Sequence, residues 1–415
     1  MKPFSKVYER IGTESAFAIG PEIRAWEKQG YDITRVNVGE PGCNIPESST
    51  LAAIKSFQNH ETHYVDSKGY ESLREAVAKY MTATRDVEYN QEDVIITPGG
   101  KPIISGTMFI LVEPGDEVIY PSPSYPIYES IVDLIGATGV PLPLKEEKGF
   151  RFDIEDLKKL ITKKTKLLVL NSTSNPTGGV LEKKDMEEIA ALARKYDFYI
   201  LSDECYSRIA FGSTNKTVLF KGNKLPVTHS IVTEKGMAER TVILEAFSKT
   251  YAMTGLRIGM AVTKNREIMS KFLTFAINFW TNVPGPCMRA AEAALGTDQK
   301  EAQSEIKLYQ EKRDLVVDGL NNIKGIYCHR PSGSFYLFPN VTEVVKRMRM
   351  KDAEELRKYL LTYDKKNKKG VAVLARKHFG KRLKSEKEEY IRLSFAGTIE
   401  SLKEGVARIK EAVEK

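Results

Sequence analysis

Cysteine is scarce in this chain. Four cysteines, Cys43, Cys205, Cys287 and Cys328, are scattered over 415 residues. That spread offers neither a metal-type pair nor a disulfide framework. The five histidines show no ligand spacing either, so no metal site is expected. Long apolar runs are also missing; none comes near the roughly 20 residues that span a bilayer. The first residues, Met1-Lys-Pro-Phe-Ser-Lys6, lack the apolar core of a signal peptide. These absences leave a cytoplasmic protein with no membrane partner as the expectation. The net charge of +8 comes without a nucleic-acid-reading motif, and the run Lys365-Lys-Asn-Lys-Lys369 reads as an exposed loop. No nucleic-acid partner is expected, while a mild positive field suits anionic small molecules.

What is present is an ordinary globular composition, 41% hydrophobic and 28% charged. The length calls for more than one core. Residues 1–48 read as an N-terminal arm that joins a smaller domain, 49–289 as a large domain and 290–415 as a small C-terminal domain. In the large domain, apolar strands such as Val94–Thr97, Glu117–Tyr120, Lys166–Asn171, Phe198–Leu201 and Thr241–Leu244 alternate with helical patterns. One such pattern is Leu73, Ala76, Val77, Tyr80; another is Met186, Ile189, Ala190, Ala193. This alternation predicts an α/β fold, with a mostly parallel sheet covered by helices on both faces. Residues 213–240 are polar and weakly patterned, and read as an inserted surface segment. After about 290 a long charged helix over 299–320 and strands near 333–338 and 390–395 indicate a smaller α+β domain.

One stretch concentrates chemistry: Glu245-Ala-Phe-Ser-Lys-Thr-Tyr-Ala-Met-Thr-Gly-Leu-Arg-Ile-Gly259. Lys249 follows an apolar strand, with Ser248, Thr250, Arg257 and close-set glycines around it. A lysine amine can form a Schiff base with a carbonyl, and a planar guanidinium can grip a phosphate. Pyridoxal phosphate carries both groups. Other polar residues fall at strand ends, where ligands of open α/β sheets lie. Gly99, Gly100 and Lys101 precede a helix whose N-terminus suits a phosphate. Asp203 ends an apolar strand, and a carboxylate there could pair with a pyridinium nitrogen. Tyr206 could donate to a ring phenolate, and Tyr125 offers a flat face for stacking. Each has a plainer reading as a turn, a cap or a core aromatic; their order along the strand ends is what unites them.

In these motifs the chain resembles the class I aminotransferases, the aspartate aminotransferase-like branch of fold-type I pyridoxal phosphate enzymes. The Ser-Lys-x-Tyr-x-Met-Thr-Gly-x-Arg-x-Gly block runs from Ser248 to Gly259. Asn175-Pro-Thr-Gly178, Asp203-Glu-Cys-Tyr206, Gly39-Glu-Pro41, the segment Tyr64 to Arg74 and Arg392-Leu-Ser-Phe-Ala396 match the family's other motifs in order. The resemblance implies a catalytic Lys249 that binds pyridoxal 5'-phosphate. It further implies that Asp203 holds the ring nitrogen, Tyr206 and Asn175 the phenolic oxygen, and Tyr125 the ring face. The phosphate would lie among Gly99, Gly100, Lys101, Ser248 and Arg257, with Tyr64 reaching the neighbouring subunit of a homodimer with shared sites. Arg392, Asn175 and the Gly39 backbone would take the substrate α-carboxylate.

The implied activity moves an amino group from an L-amino acid to a 2-oxo acid. The turn Thr97-Pro-Gly-Gly-Lys101 resembles that of the prokaryotic aspartate and prephenate aminotransferases, where this lysine reaches a second carboxylate. Aspartate or glutamate with 2-oxoglutarate is therefore the expected pair. The branch's hydroxyl partner falls at Ala16, with Ser15 beside it as a substitute. Two alternatives share the motifs: a fold-type I lyase of the β-elimination type, and a non-catalytic cofactor-binding regulator. Two departures stand out. Pro41-Gly42-Cys43 replaces Pro-Asp-Phe, and Ala375-Arg-Lys-His-Phe-Gly380 replaces Pro-Gly-x-x-Phe-Gly.

Overall fold

The computed structural model describes residues 2–12, 19–212, 215–296 and 299–414. Among them the strands are, in chain order, β1 (Asp32–Arg35), β2 (Val94–Thr97), β3 (Glu117–Ser122), β4 (Thr138–Lys145), β5 (Arg151–Phe152), β6 (Thr165–Asn171), β7 (Tyr199–Asp203), β8 (Asn215–Phe220) and β9 (Asn223–Thr228). They continue with β10 (Thr241–Ala246), β11 (Gly259–Val262), β12 (Tyr336–Leu337), β13 (Lys369–Ala372), β14 (Leu374–Ala375) and β15 (Ile391–Ser394).

Eight strands form the main sheet in the order β2-β11-β10-β7-β6-β3-β4-β5. β10, β7, β6, β3 and β4 pair in parallel, while β11 runs antiparallel between β2 and β10, and β5 antiparallel at the edge. Alternation along each central strand divides its side chains between two cores. Val242 and Leu244 face one way, with Val169 and Leu201, onto the helices Lys101–Leu111, Ile127–Ile135 and Arg266–Phe279. Ile243 faces the other way, with Leu168 and Ile200, onto Glu71–Arg85, Lys183–Tyr196 and Gly285–Gly296. Burial on both faces is why these strands read as continuous apolar runs.

A third core gathers the antiparallel sheet β12-β15-β14 and the helices Lys300–Asn321, Thr342–Arg347, Ala353–Leu361 and Ile399–Glu414. β1 pairs in parallel with β13, so the N-terminal strand completes this C-terminal layer. The helix Lys300–Asn321 passes from a core of the main sheet, at Ala302, to this third one, at Ile306 and Tyr309. No helix among the described residues is long and apolar enough to cross a membrane.

The segment 213–240 differs from its reading as a polar surface insertion. β8 and β9 form an antiparallel hairpin closed by Lys221 and Gly222, both at positive φ (47° and 75°), the conformation of a type I′ turn. Phe220, Leu225, Ile231, Val232 and Met237 are buried in the main core, and Phe220 meets Tyr80 edge to face at 5.5 Å. Each such side chain contributes roughly 1.5–3 kcal/mol of burial. Exposed Leu219 on the outer face and buried Thr228 at the end of β9 break the apolar–polar alternation and hide this two-residue period. β11 likewise escapes a sequence reading, because it is only four residues long and starts at Gly259, the last residue of the lysine motif.

Candidate active site

The carboxyl ends of β6, β7 and β10 bring the motif residues to one edge of the sheet. β10 ends at Ala246, and a one-turn helix, Phe247–Thr250, carries Ser248 and Lys249. Nζ of Lys249 donates to the carbonyl of Gly39 at 2.7 Å and lies 5.7 Å from the ring centre of Tyr206 and 5.5 Å from that of Phe335. Gly39 has no room for a side chain: a Cβ there would sit 1.8 Å from the Tyr336 hydroxyl. The glycine thus lets the N-terminal segment lie flat against β12 and present its carbonyl to the lysine.

Asp203 closes β7 with 6% of its surface exposed. The Tyr128 hydroxyl donates to its Oδ2 at 2.5 Å, and the Cys205 amide to its Oδ1 at 3.3 Å. Burial pushes the Asp203 carboxyl above the ordinary carboxylate range, and these two donors pull it back down. Its neighbour Glu204 points away, into a buried ion triad. Arg85 donates to Glu204 at 2.6 Å and to Glu245 at 2.9 Å, tying the ends of β7 and β10 together. Burial raises Glu245 to about 7 against the pull of Arg85.

Tyr206 and Tyr336 share a hydrogen bond of 2.9 Å between hydroxyls, and burial holds the Tyr206 phenol far above its usual range. Arg392, on β15 and 3% exposed, donates to Oδ1 of Asn175 at 3.1 Å and to the carbonyl of Asn37 at 2.5 Å. The rings of Tyr336 and Phe379 lie 4.4 and 5.0 Å from its guanidinium carbon. Tyr125 stands edge-on to Tyr128 at 5.8 Å.

The glycine turn and Arg257 also meet. Gly99 has φ +87°, and a Cβ there would fall 2.3 Å from a guanidinium nitrogen of Arg257. Gly100 caps the helix Lys101–Leu111, and Lys101 is exposed at its first position. Tyr64 stands apart from this group. It is 87% exposed, on a groove of about 670 Å³ that includes Phe57, Leu256 and Pro284. Ser15 and Ala16 lie outside the described residues.

The family profile described as Aminotransferase class I and II matches residues 31–409. The chain belongs to the class I and II aminotransferases. It is 30% identical over 415 residues to an aspartate aminotransferase of Musicola paradisiaca (strain Ech703), covering 100% of this chain and 97% of that one. The structure of an aspartate aminotransferase from Thermus thermophilus with maleate superposes with a TM-score of 0.87 at 28% identity, over 99% of this chain and 100% of that one. An alanine aminotransferase from Pyrococcus furiosus superposes with a TM-score of 0.88 at 26% identity, over 99% and 100%.

Membership makes this an aminotransferase of the pyridoxal phosphate-dependent kind, with the α/β architecture of fold type I. The residues present fit that cofactor. Asp203 is a buried carboxylate whose charge a ring N–H⁺ would offset. The turn at Gly99 leaves no Cβ between the backbone and Arg257, so a guanidinium lies against a helix N-terminus, where a phosphate is favoured. Sequence reasoning missed three participants of this aminotransferase site: Tyr128, Tyr336 and the carbonyl of Asn37. Tyr128 was visible in Pro121-Ser-Pro-Ser-Tyr-Pro-Ile-Tyr128, but nothing local tells which buried acceptor its hydroxyl finds.

Proposed function

We propose that this enzyme transfers the amino group of an acidic L-amino acid, glutamate or aspartate, to 2-oxoglutarate, as a homodimer with shared sites. The observation that carries the reading is the convergence of Lys249 on the Gly39 carbonyl, beside an Arg392 held by Asn175. An amine and a buried guanidinium at one sheet edge suit an α-amino acid, whose carboxylate and reacting carbon are one bond apart.

Lys249 would hold the cofactor's aldehyde carbon, Asp203 its ring nitrogen, and Tyr206 with Asn175 its phenolic oxygen. Tyr125 would cover the ring. Gly99, Gly100, Lys101, Ser248 and Arg257 would surround the phosphate, joined by Tyr64 of the partner subunit. When bound, pyridoxal phosphate supplies an electron sink conjugated to the substrate α-carbon. Arg392 binds the α-carboxylate through two parallel N–H bonds, and its burial strengthens that pair by excluding water. Once the substrate amine takes its place at the aldehyde carbon, the freed Lys249 amine would act as the base that moves the α-carbon proton. Asp203, whose carboxylate accepts from the Tyr128 hydroxyl, would hold a proton on the ring nitrogen. The Tyr336 hydroxyl holds the Tyr206 hydroxyl in place through their shared hydrogen bond of 2.9 Å.

Lys101 supports the acidic donor. It is a flexible point charge beside the phosphate turn, able to serve a second carboxylate. A half-reaction screen tests the reading: holoenzyme is mixed with single L-amino acids, and conversion of bound aldehyde to amine is followed by absorbance. Glutamate and aspartate should give the largest second-order rate constants. Faster conversion by alanine or tyrosine would overturn the acidic assignment.

A further inference from the structure

Arg376 stands where the chain departs from the family's Pro-Gly pattern, and it is 1% exposed. A buried guanidinium persists only where its donors are satisfied. Here Nε donates to Glu386 Oε1 at 2.5 Å and Nη2 to Glu386 Oε2 at 2.9 Å, a bidentate pair. Nη1 donates to the carbonyls of Phe379 at 3.2 Å and Gly380 at 3.0 Å. Nη2 also reaches Oγ of Ser122, at the end of β3, at 3.0 Å. All five guanidinium N–H groups thus have acceptors.

The clamped segment crosses to the main sheet. The Ser124 amide donates to the Phe379 carbonyl at 3.1 Å, and the Lys381 amide to Glu129 Oε2 at 2.9 Å. At the other end, Leu374 on β14 pairs directly with Arg392 on β15, and the ring of Phe379 lies 5.0 Å from the Arg392 guanidinium carbon. The segment 376–381 therefore joins three things: the strand beside Arg392, the ring against it, and the backbone next to Tyr125.

We infer that Arg376 is a positioning residue for substrate binding: with Glu386 it straps segment 376–381 across the end of β3 and so fixes Phe379 against Arg392. The inference rests on the reading of Arg392 as the α-carboxylate ligand. The guanidinium of Arg392 is held by two hydrogen bonds to Asn175 and Asn37 and by ring contacts to Tyr336 and Phe379. Loss of the strap removes one ring contact and frees the backbone beneath it. It touches neither Lys249 nor Asp203, so its effect belongs to KM and not to kcat.

The test uses holoenzyme of wild type, Arg376→Met, Phe379→Leu and Arg392→Lys, with L-glutamate as donor, and limited trypsin digestion of each. Arg376→Met should raise the donor KM about ten-fold and change kcat less than about three-fold. Trypsin should cut after Lys377, Lys381, Arg382 or Lys384 several-fold faster than in wild type. Phe379→Leu should raise KM similarly without the faster cleavage, because the backbone strap remains. If Arg376→Met leaves KM within two-fold while Arg392→Lys raises it, the strap is wrong and the role of Arg392 stands. An unchanged KM in Arg392→Lys overturns both. Should Arg376→Met not fold, Glu386→Gln takes its place, with a KM rise of about three-fold expected and an unchanged KM overturning the inference.

Discussion

The hydroxyl of Tyr128 and the carboxylate of Asp203, 75 residues apart in sequence, are joined by a fully buried hydrogen bond of 2.5 Å. Burial alone favours a protonated Asp203, and the Tyr128 donor opposes that. Tyr128→Phe removes the donor and leaves the acceptor in place. The Asp203 carboxyl should rise further, and its hold on a ring proton should weaken. We expect kcat/KM to fall about ten- to a hundred-fold, the size of a charge-assisted bond of roughly 1.5–3 kcal/mol. Steady-state assays over pH 6–9 check this, with the greater loss at the acid end, where a raised carboxyl is protonated first.

Lys249→Ala should abolish transamination while leaving the fold intact. Borohydride should fix the cofactor covalently to the wild type and not to the variant. Peptide mapping of the reduced protein reads the attachment directly; label on another lysine would refute the assignment.

Lys101→Met should cut activity on glutamate and aspartate more than on alanine. A lost charge-assisted contact corresponds to about a ten- to hundred-fold fall in kcat/KM for the acidic donors. An equal fall on all donors would leave Lys101 with the phosphate alone.

Tyr64 is 87% exposed beside a groove with Phe57 at its rim, itself 61% exposed. Under the proposed function, Tyr64 serves the phosphate of the neighbouring subunit. Mixed dimers of Tyr64→Ala and Lys249→Ala chains should regain about one working site in two, as two-fold symmetry requires. Full activity in a light-scattering monomer would contradict this.

Burial holds His378 down at about 4; Arg357 and Lys377 push the same way, and Glu354 opposes them. Its Nδ1 accepts from the Ala375 amide at 3.0 Å, which only the neutral ring can do. The unfolded chain takes up this proton near pH 6.5, but the folded chain does so only near 4. The contribution is therefore complete above pH 6.5 and is lost as pH falls from 6.5 towards 4, amounting to about 2 kcal/mol by pH 5. His378→Asn can still accept from Ala375, and should flatten that acid slope in urea unfolding at pH 7.5, 6 and 5.

Much of the site was legible because the chemistry sits at strand ends, and strand ends are local. The apolar run before Lys249, the one before Asp203 and the glycines before Lys101 mark the carboxyl ends of β10, β7 and β2. Parallel pairing of β7 with β10, and β11 running antiparallel between β10 and β2, bring those three ends to one side of the sheet. The hairpin Asn215–Thr228 was not legible. Its outer face carries an exposed Leu219 among polar residues, which masks an inner face whose value appears only once the helix Glu71–Arg85 packs beneath it.

The sequence by itself determined the α/β class, the family, and the order of lysine, aspartate, tyrosine and arginine along the chain. Short-range periodicity and turn chemistry are enough for that, since each motif is a strand followed by its own loop. The tertiary structure decided which buried polar groups meet. Tyr128 finds Asp203, Tyr336 finds Tyr206, and Arg376 finds Glu386, Ser122 and the Phe379 carbonyl. Two of these tie residues 75 and 130 positions apart. No local pattern encodes such pairs. Each is selected because a polar group buried between layers must find whatever acceptor or donor the packing brings within about 3 Å.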